Sequence, residues 1–189
     1  VHEAGLREHH SPAVRLEARD RHDLGLNVLR YLHLVARGRY QHLVADEQPA
    51  FASSDQYEIF AKYVSSRHGE SGMADMNFAD YTAMVEESPI ETSIVEYRDN
   101  SGVLVGAALI DNLKDGQSMV YSFFDPACAR QSLGTIMILW HIATAVERGL
   151  AHLYLGYWIQ NSRKMGYKVR FQPIEGLITN QWAPILNDS

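Results

Sequence analysis

Cysteine occurs once in this chain, as Cys128. That excludes an internal disulfide framework and any metal site built on several thiolates, and it suits a reducing compartment. Long apolar runs are lacking as well: nothing approaches the roughly 20 consecutive apolar residues that a membrane-spanning helix needs, so no membrane partner is expected. The opening stretch, VHEAGLREHHSPAVRLEARD, has neither the apolar core of a secretory signal nor the acid-poor composition of a transit peptide. A soluble, cytoplasmic protein is expected. Positive charge is also in deficit. A formal net charge of -6 argues against nucleic-acid binding over the whole surface, because phosphate contacts require clustered Lys and Arg. Repeats and low-complexity tracts are missing.

What is present suffices for one sizeable core, with 46% apolar and 21% charged residues in 189. Charge is polarised along the chain. Acids dominate from Glu70 to Asp99, whereas Arg163, Lys164, Lys168 and Arg170 fall close together with no acid among them. Residues 1–45 read as an atypical segment: they hold six of the nine histidines and seven arginines, and their one apolar stretch, LGLNVLRYLHLV, has the makings of a helix. These histidines show no ligand spacing, so no metal is expected. Residues 46–189 carry the stronger structural signals.

Ser53-Ser54-Asp55 offers an N-cap for a helix over 56–66, with Tyr57, Phe60, Ala61 and Val64 at helical spacing. Asn77 caps a second helix over 78–87, closed at Ser88-Pro89. Three β-type runs follow at 92–98, 102–111 and 118–125, and the short turns between them imply an antiparallel meander. Ser132 to Arg148 then carries an apolar stripe of Leu133, Ile136, Met137, Trp140 and Ile142, with Gly149 placed to stop it. A strand at 152–157 completes a β-α-β unit, whose crossover makes its two strands parallel. The expected class is α+β with a mixed sheet, and the order of elements is similar to that of GNAT acyltransferases.

Chemistry has two candidate places. The turn FFDPACARQSLGT leads into the main helix, whose first N–H groups face any anion or oxyanion. Gln131 and Gly134 match part of the pyrophosphate-binding pattern of acyl-CoA enzymes, but Ile136 replaces its last small residue, and an ordinary capped helix explains the turn equally well. The stretch after the last strand interleaves Tyr157, Tyr167 and Phe171 with Lys164, Lys168 and Arg170. Aromatic faces among cations suit stacking on an unpaired nucleotide end with phosphate neutralisation. A solvated basic edge over an aromatic core is the plainer alternative.

Specific motifs narrow the choice. Tyr63 with Arg67-His68 and Gly72-Met73, then YTAMVEESP at 81–89, Val95-Glu96-Tyr97, SMVYSFFDP at 118–126, Ser132 to Thr135, and LYLGYWIxxSxKMxYKxxFxPxE at 153–175 occur in order. From about Val44 to Trp182 the chain thereby resembles the C-terminal domain of the arginyl-tRNA–protein transferase family, especially its bacterial branch, the aspartate/glutamate leucyltransferases. The resemblance implies a GNAT-like fold that uses aminoacyl-tRNA in place of acyl-CoA. It implies leucyl- or arginyl-tRNA as donor, the bacterial motifs favouring leucine, and acceptor proteins with N-terminal Asp or Glu, marked for degradation by the N-degron route. Family members also carry cysteine pairs in an N-terminal domain; these are absent here, and residues 1 to about 38 depart from the pattern, which implies a truncated or altered front.

The implied reaction is attack by a free α-amine on the aminoacyl ester. The ester is already activated, so no cofactor is expected. The enzyme must keep that amine neutral, stabilise an oxyanion and read an acidic side chain. His68 is the candidate base because imidazole titrates near neutrality. Asp125 and Tyr121 complete the candidate catalytic set. Arg67 is the first candidate reader of the acceptor carboxylate, since its fork fits two oxygens. Lys168 and Arg170 stand behind it, and Ser122, Ser132, Gly134, Tyr157, Lys164 and Tyr167 are the remaining candidate substrate contacts. Each has a structural alternative: Arg67 as an ion-pair partner, Asp125 as a cap, Tyr121 and Ser122 as alternating strand residues. Two other functions compete, an acyl-CoA-dependent N-acetyltransferase and a non-catalytic module binding RNA ends or peptides.

Overall fold

The computed structural model describes residues 12–18, 43–68, 72–159, 162 and 165–185. The expected helix in LGLNVLRYLHLV lies outside them. Eight described strands form one sheet: β1 (Ala13–Glu17), β2 (Val44–Pro49), β3 (Thr92–Arg98), β4 (Leu104–Leu113), β5 (Gly116–Phe124), β6 (His152–Tyr157), β7 (Ile174–Ile178) and β8 (Gln181–Pro184). Their order is β2-β3-β4-β5-β6-β1-β7-β8. The β5–β6 pair is parallel and every other pair antiparallel. The α+β class with a mixed sheet, the meander and the β-α-β unit are therefore as expected. The short strand β1 was not expected. It lies between β6 and β7 with Val14 and Leu16 fully buried, so part of the early segment belongs to this sheet.

Three helices cover the faces: α1 (Ser54–His68), α2 (Phe78–Glu86) and α3 (Leu133–Glu147). Ser53 and Gln56 form a capping box at α1, with Gln56 N–H donating to Ser53 Oγ and Ser53 N–H to Gln56 Oε1. Asn77 and Asp80 do the same at α2. Phe60 of α1 packs against Tyr81, Tyr121 and Phe123 with ring centroids 5.0 to 5.9 Å away. Trp140 of α3 packs on Tyr97 at 6.0 Å. Tyr97 pairs with Gly106 and Gly106 with Phe124, the neighbour of Phe123. Strand side chains alternate, so α1 and α3 cover opposite faces.

A buried polar relay ties α1 to the sheet. Tyr81 Oη donates to Gln56 Oε1 at 3.2 Å, Gln56 Nε2 donates to Glu96 Oε1 at 2.9 Å, and Arg98 donates to Glu96 Oε2 at 2.6 Å. Burial, followed by the Glu96 charge, pushes the Tyr81 phenol well above its usual range.

Candidate active site

Strands β5 and β6 are joined at one end and apart at the other. Parallel pairing runs through Gly116↔His152, Gln117↔Leu153 and Ser118↔Tyr154 and stops there, although β5 continues to Phe124 and β6 to Tyr157. A bulge sits just past that point in each strand. In β5, Leu109↔Tyr121 is followed by Ile110↔Met119, which leaves Val120 as the extra residue. In β6, Val14↔Gly156 is followed by Arg15↔Tyr154, which leaves Leu155. A bulge bends its strand and increases local twist. Two of them, side by side, part the strands.

The gap is a cleft of about 510 Å³. Met119 to Ser122 line one wall and Leu155 to Tyr157 the other; Ile138 of α3, Tyr63 and Arg67 of α1, Met165, Tyr167 and Lys168 also line it. Tyr121, Ser122, Arg67, Tyr157, Tyr167 and Lys168 are thus brought together as the sequence suggested. Asp125, Ser132 and Gly134 lie beyond the end of β5. Asp125 Oδ1 accepts the Ala127 N–H at 2.8 Å and its carbonyl accepts the Cys128 N–H at 2.8 Å, which is the work of a turn former. Ser132 takes a left-handed conformation (φ 57°) and makes no side-chain cap. Arg170 is exposed and does not line the cleft. Lys164 and the His68 side chain lie outside the described residues. Tyr63, Val120, Leu155 and Met165 were not anticipated as cleft residues; a bulge depends on the partner strand, so no local pattern announced it.

Lys168 bridges the parted edge. Its Nζ donates to Leu155 O at 2.7 Å and to Tyr157 O at 2.6 Å, replacing ladder bonds that β5 no longer supplies. Burial lowers the pKa of this lysine to about 8. Across the cleft, burial raises the Tyr121 phenol to about 12; Tyr63 adds to the rise and Arg67 opposes it. The Tyr121 hydroxyl is buried, and among the described residues nothing hydrogen-bonds it. Burial likewise raises Tyr63 and Tyr167, against the charge of Arg67, whose guanidinium carbon lies 5.6 Å from the Tyr63 ring centre. The cleft is therefore lined by two basic side chains and by aromatic rings, with the neutral Tyr121 hydroxyl buried in its wall. Among the described residues no group of three or more His, Cys, Asp or Glu could hold a metal ion, and no helix is long and apolar enough to cross a membrane.

The chain is 50% identical over 150 residues to the aspartate/glutamate leucyltransferase of Sinorhizobium medicae, covering 74% of this chain and 58% of the relative. Its likeness to that of Hyphomonas neptunium is 45% over 179 residues, covering 93% and 69%. The chain spans somewhat over half the length of several of the curated relatives it matches. In three dimensions it is similar to the C-terminal domain of a putative lysylphosphatidylglycerol synthetase from Agrobacterium fabrum (TM-score 0.61, 11% identity, 92% of this chain and 58% of that one). FemX is comparable (TM-score 0.60, 8% identity, 90% and 60%). These likenesses show the shared fold. A match over residues 55–178, which span both walls of the cleft, shows that the chain belongs to the family described as arginine-tRNA-protein transferase, C terminus.

Proposed function

We propose that the β5–β6 cleft is an aminoacyl-transfer centre, which moves leucine from leucyl-tRNA to the α-amine of a protein beginning with Asp or Glu. The carrying observation is the opening between the two strands, which Lys168 and Tyr121, whose buried hydroxyl has no partner among the described residues, both line. An extended aminoacyl ester fits between parted strands, with its polar atoms meeting the groups that pairing has left free. The Tyr121 hydroxyl is a donor for the developing oxyanion. Tyr157 and Tyr167 supply faces for the terminal nucleotide, and Arg67 supplies the fork for the acceptor carboxylate.

The names of the relatives favour leucine over arginine as donor, and the family favours aminoacyl-tRNA over acyl-CoA. Such a product would be marked for degradation by the N-degron route, in the cytoplasm. The test is incubation of the purified chain with radiolabelled leucyl-tRNA or arginyl-tRNA and peptides beginning with Asp, Glu or Ala. Label moving from leucyl-tRNA to Asp and Glu peptides alone is the expected result. No transfer by the folded chain would sink the reading that it is active by itself.

A further inference from the structure

We propose that Lys168 is a catalytic residue of this transfer, carrying the proton from the attacking amine to the departing ribose oxygen. The assignment rests on the aminoacyl-transfer reading of the same cleft. Its ground is the geometry of Nζ. Two N–H bonds point at Leu155 O (2.7 Å) and Tyr157 O (2.6 Å), both on the parted end of β6. Among the described residues these are the hydrogen bonds this nitrogen makes, and the side chain lines the cleft, which leaves a third position for a molecule bound there. As an ammonium it offers a third proton there. As an amine it keeps both anchoring bonds and offers a lone pair instead. The proton can come and go while the side chain stays fixed, which is what an acid–base group must do.

The other titratable or charged groups lining the cleft are Arg67 and Tyr63 from α1, Asp111 from β4, Tyr121 from β5, Tyr157 from β6 and Tyr167 from the segment before Lys168. Arginine stays protonated. Burial raises Tyr63, Tyr121 and Tyr167, which keeps those phenols neutral. Asp111 accepts a hydrogen bond from Thr92 Oγ1 at 2.8 Å. Lys168, lowered to about 8 by burial, populates both protonation states near neutrality.

In the step itself the neutral α-amine attacks the ester carbonyl and a C–N bond forms. Its surplus proton passes to Nζ. The ester C–O bond breaks, the ribose oxygen takes the proton from Nζ, and Lys168 ends as it began. Atoms and charge balance as amine plus ester giving amide plus alcohol.

The test compares wild type with Lys168→Arg, which keeps the charge and the anchoring donors but cannot release a proton near neutrality. Expected is a variant that binds leucyl-tRNA within about 3-fold but transfers roughly 100-fold or more slowly. A variant with the wild-type rate overturns the proposal. A second measurement stands apart from turnover: NMR titration of ¹⁵N-lysine-labelled chain. A Lys168 Nζ that loses its proton near pH 8 upholds the proposal; one that does so near 10.4, the ordinary lysine value, overturns it. A folded wild-type chain that transfers nothing counts against the transfer reading, and the titration then decides for the lysine alone.

Discussion

The two ends of the β5–β6 pair differ in what bonds the strand edges. At the joined end the strands bond each other, and side chains continue the chain of hydrogen bonds across the sheet. Gln117 Nε2 donates to Asn112 Oδ1 (3.1 Å), Asn112 Nδ2 to Ser93 Oγ (3.2 Å), Ser93 Oγ to Glu47 Oε1 (2.7 Å), and Arg148 at the end of α3 to Glu47. At the parted end one lysine stands in for a strand, and a buried tyrosine hydroxyl has no partner among the described residues; at the joined end Gln117 Oε1 and both ring nitrogens of His141 are likewise buried without a hydrogen bond. Stability alone does not favour an orphaned donor, which costs about 1–3 kcal/mol.

Glycine substitutions give the largest expected separation between the ends. At Gly116 an added Cβ would come 2.2 Å from His152 O, a backbone atom that cannot step aside. Gly116→Ala should cost about 3 kcal/mol in denaturant unfolding, at the upper end for overpacking. At Gly156 the Cβ would meet nothing within 4 Å and only the φ of +72° resists it. Gly156→Ala should cost about 1–2 kcal/mol. Equal losses at the two positions would break the contrast.

His141, in α3 near the Glu47–Arg148 pair, gives a pH-dependent effect at the joined end. Burial lowers its pKa to about 3; Glu47 opposes and Arg148 reinforces. The unfolded imidazole binds a proton near 6.5 and the folded one does not, so stability is full above about 6.5 and falls with pH toward 3. The slope is about 1.4 kcal/mol per pH unit at most. Glu47 is also lowered: burial opposes this, and the bonds from Arg148 and Ser93 outweigh it. Its contribution is present above the unfolded carboxylate value and goes only at lower pH. His141→Leu should therefore flatten the stability curve between pH 6.5 and 5, and a wild-type curve already flat there would contradict the burial of this imidazole.

Tyr121→Phe should not lower stability but raise it, by about 1 kcal/mol, because it removes a buried hydroxyl that has no partner among the described residues. It should nevertheless slow leucyl transfer roughly 100-fold, the scale of one oxyanion donor. Loss of stability without loss of transfer would make Tyr121 a structural residue.

Much of this architecture was legible because it is local. Capping residues at Ser53 and Asn77, the turns around the meander and the stripe on α3 all write their signal within a few residues. Strand β1 did not, since AVRLE is too short for its alternation of Val14 and Leu16 to speak, and its place between β6 and β7 is decided by distant partners. Polar β2, VADEQP, is an edge strand with little to bury. At the site, residue types pointed to Arg67, Tyr121 and Lys168, but the paired bulges at Val120 and Leu155 exist only once neighbouring strands are in register. Asp125 was a fair candidate by position, and its hydrogen bonds show it shaping the turn.

The most direct measurement charges tRNA with a diazirine analogue of leucine, irradiates it with the chain, and maps the crosslinks by mass spectrometry. The account predicts crosslinks on Met119 to Ser122 and Leu155 to Tyr157, lost in competition with unmodified leucyl-tRNA. Specific crosslinks confined to the joined end, around Glu47, Gln117 and Arg148, would contradict it.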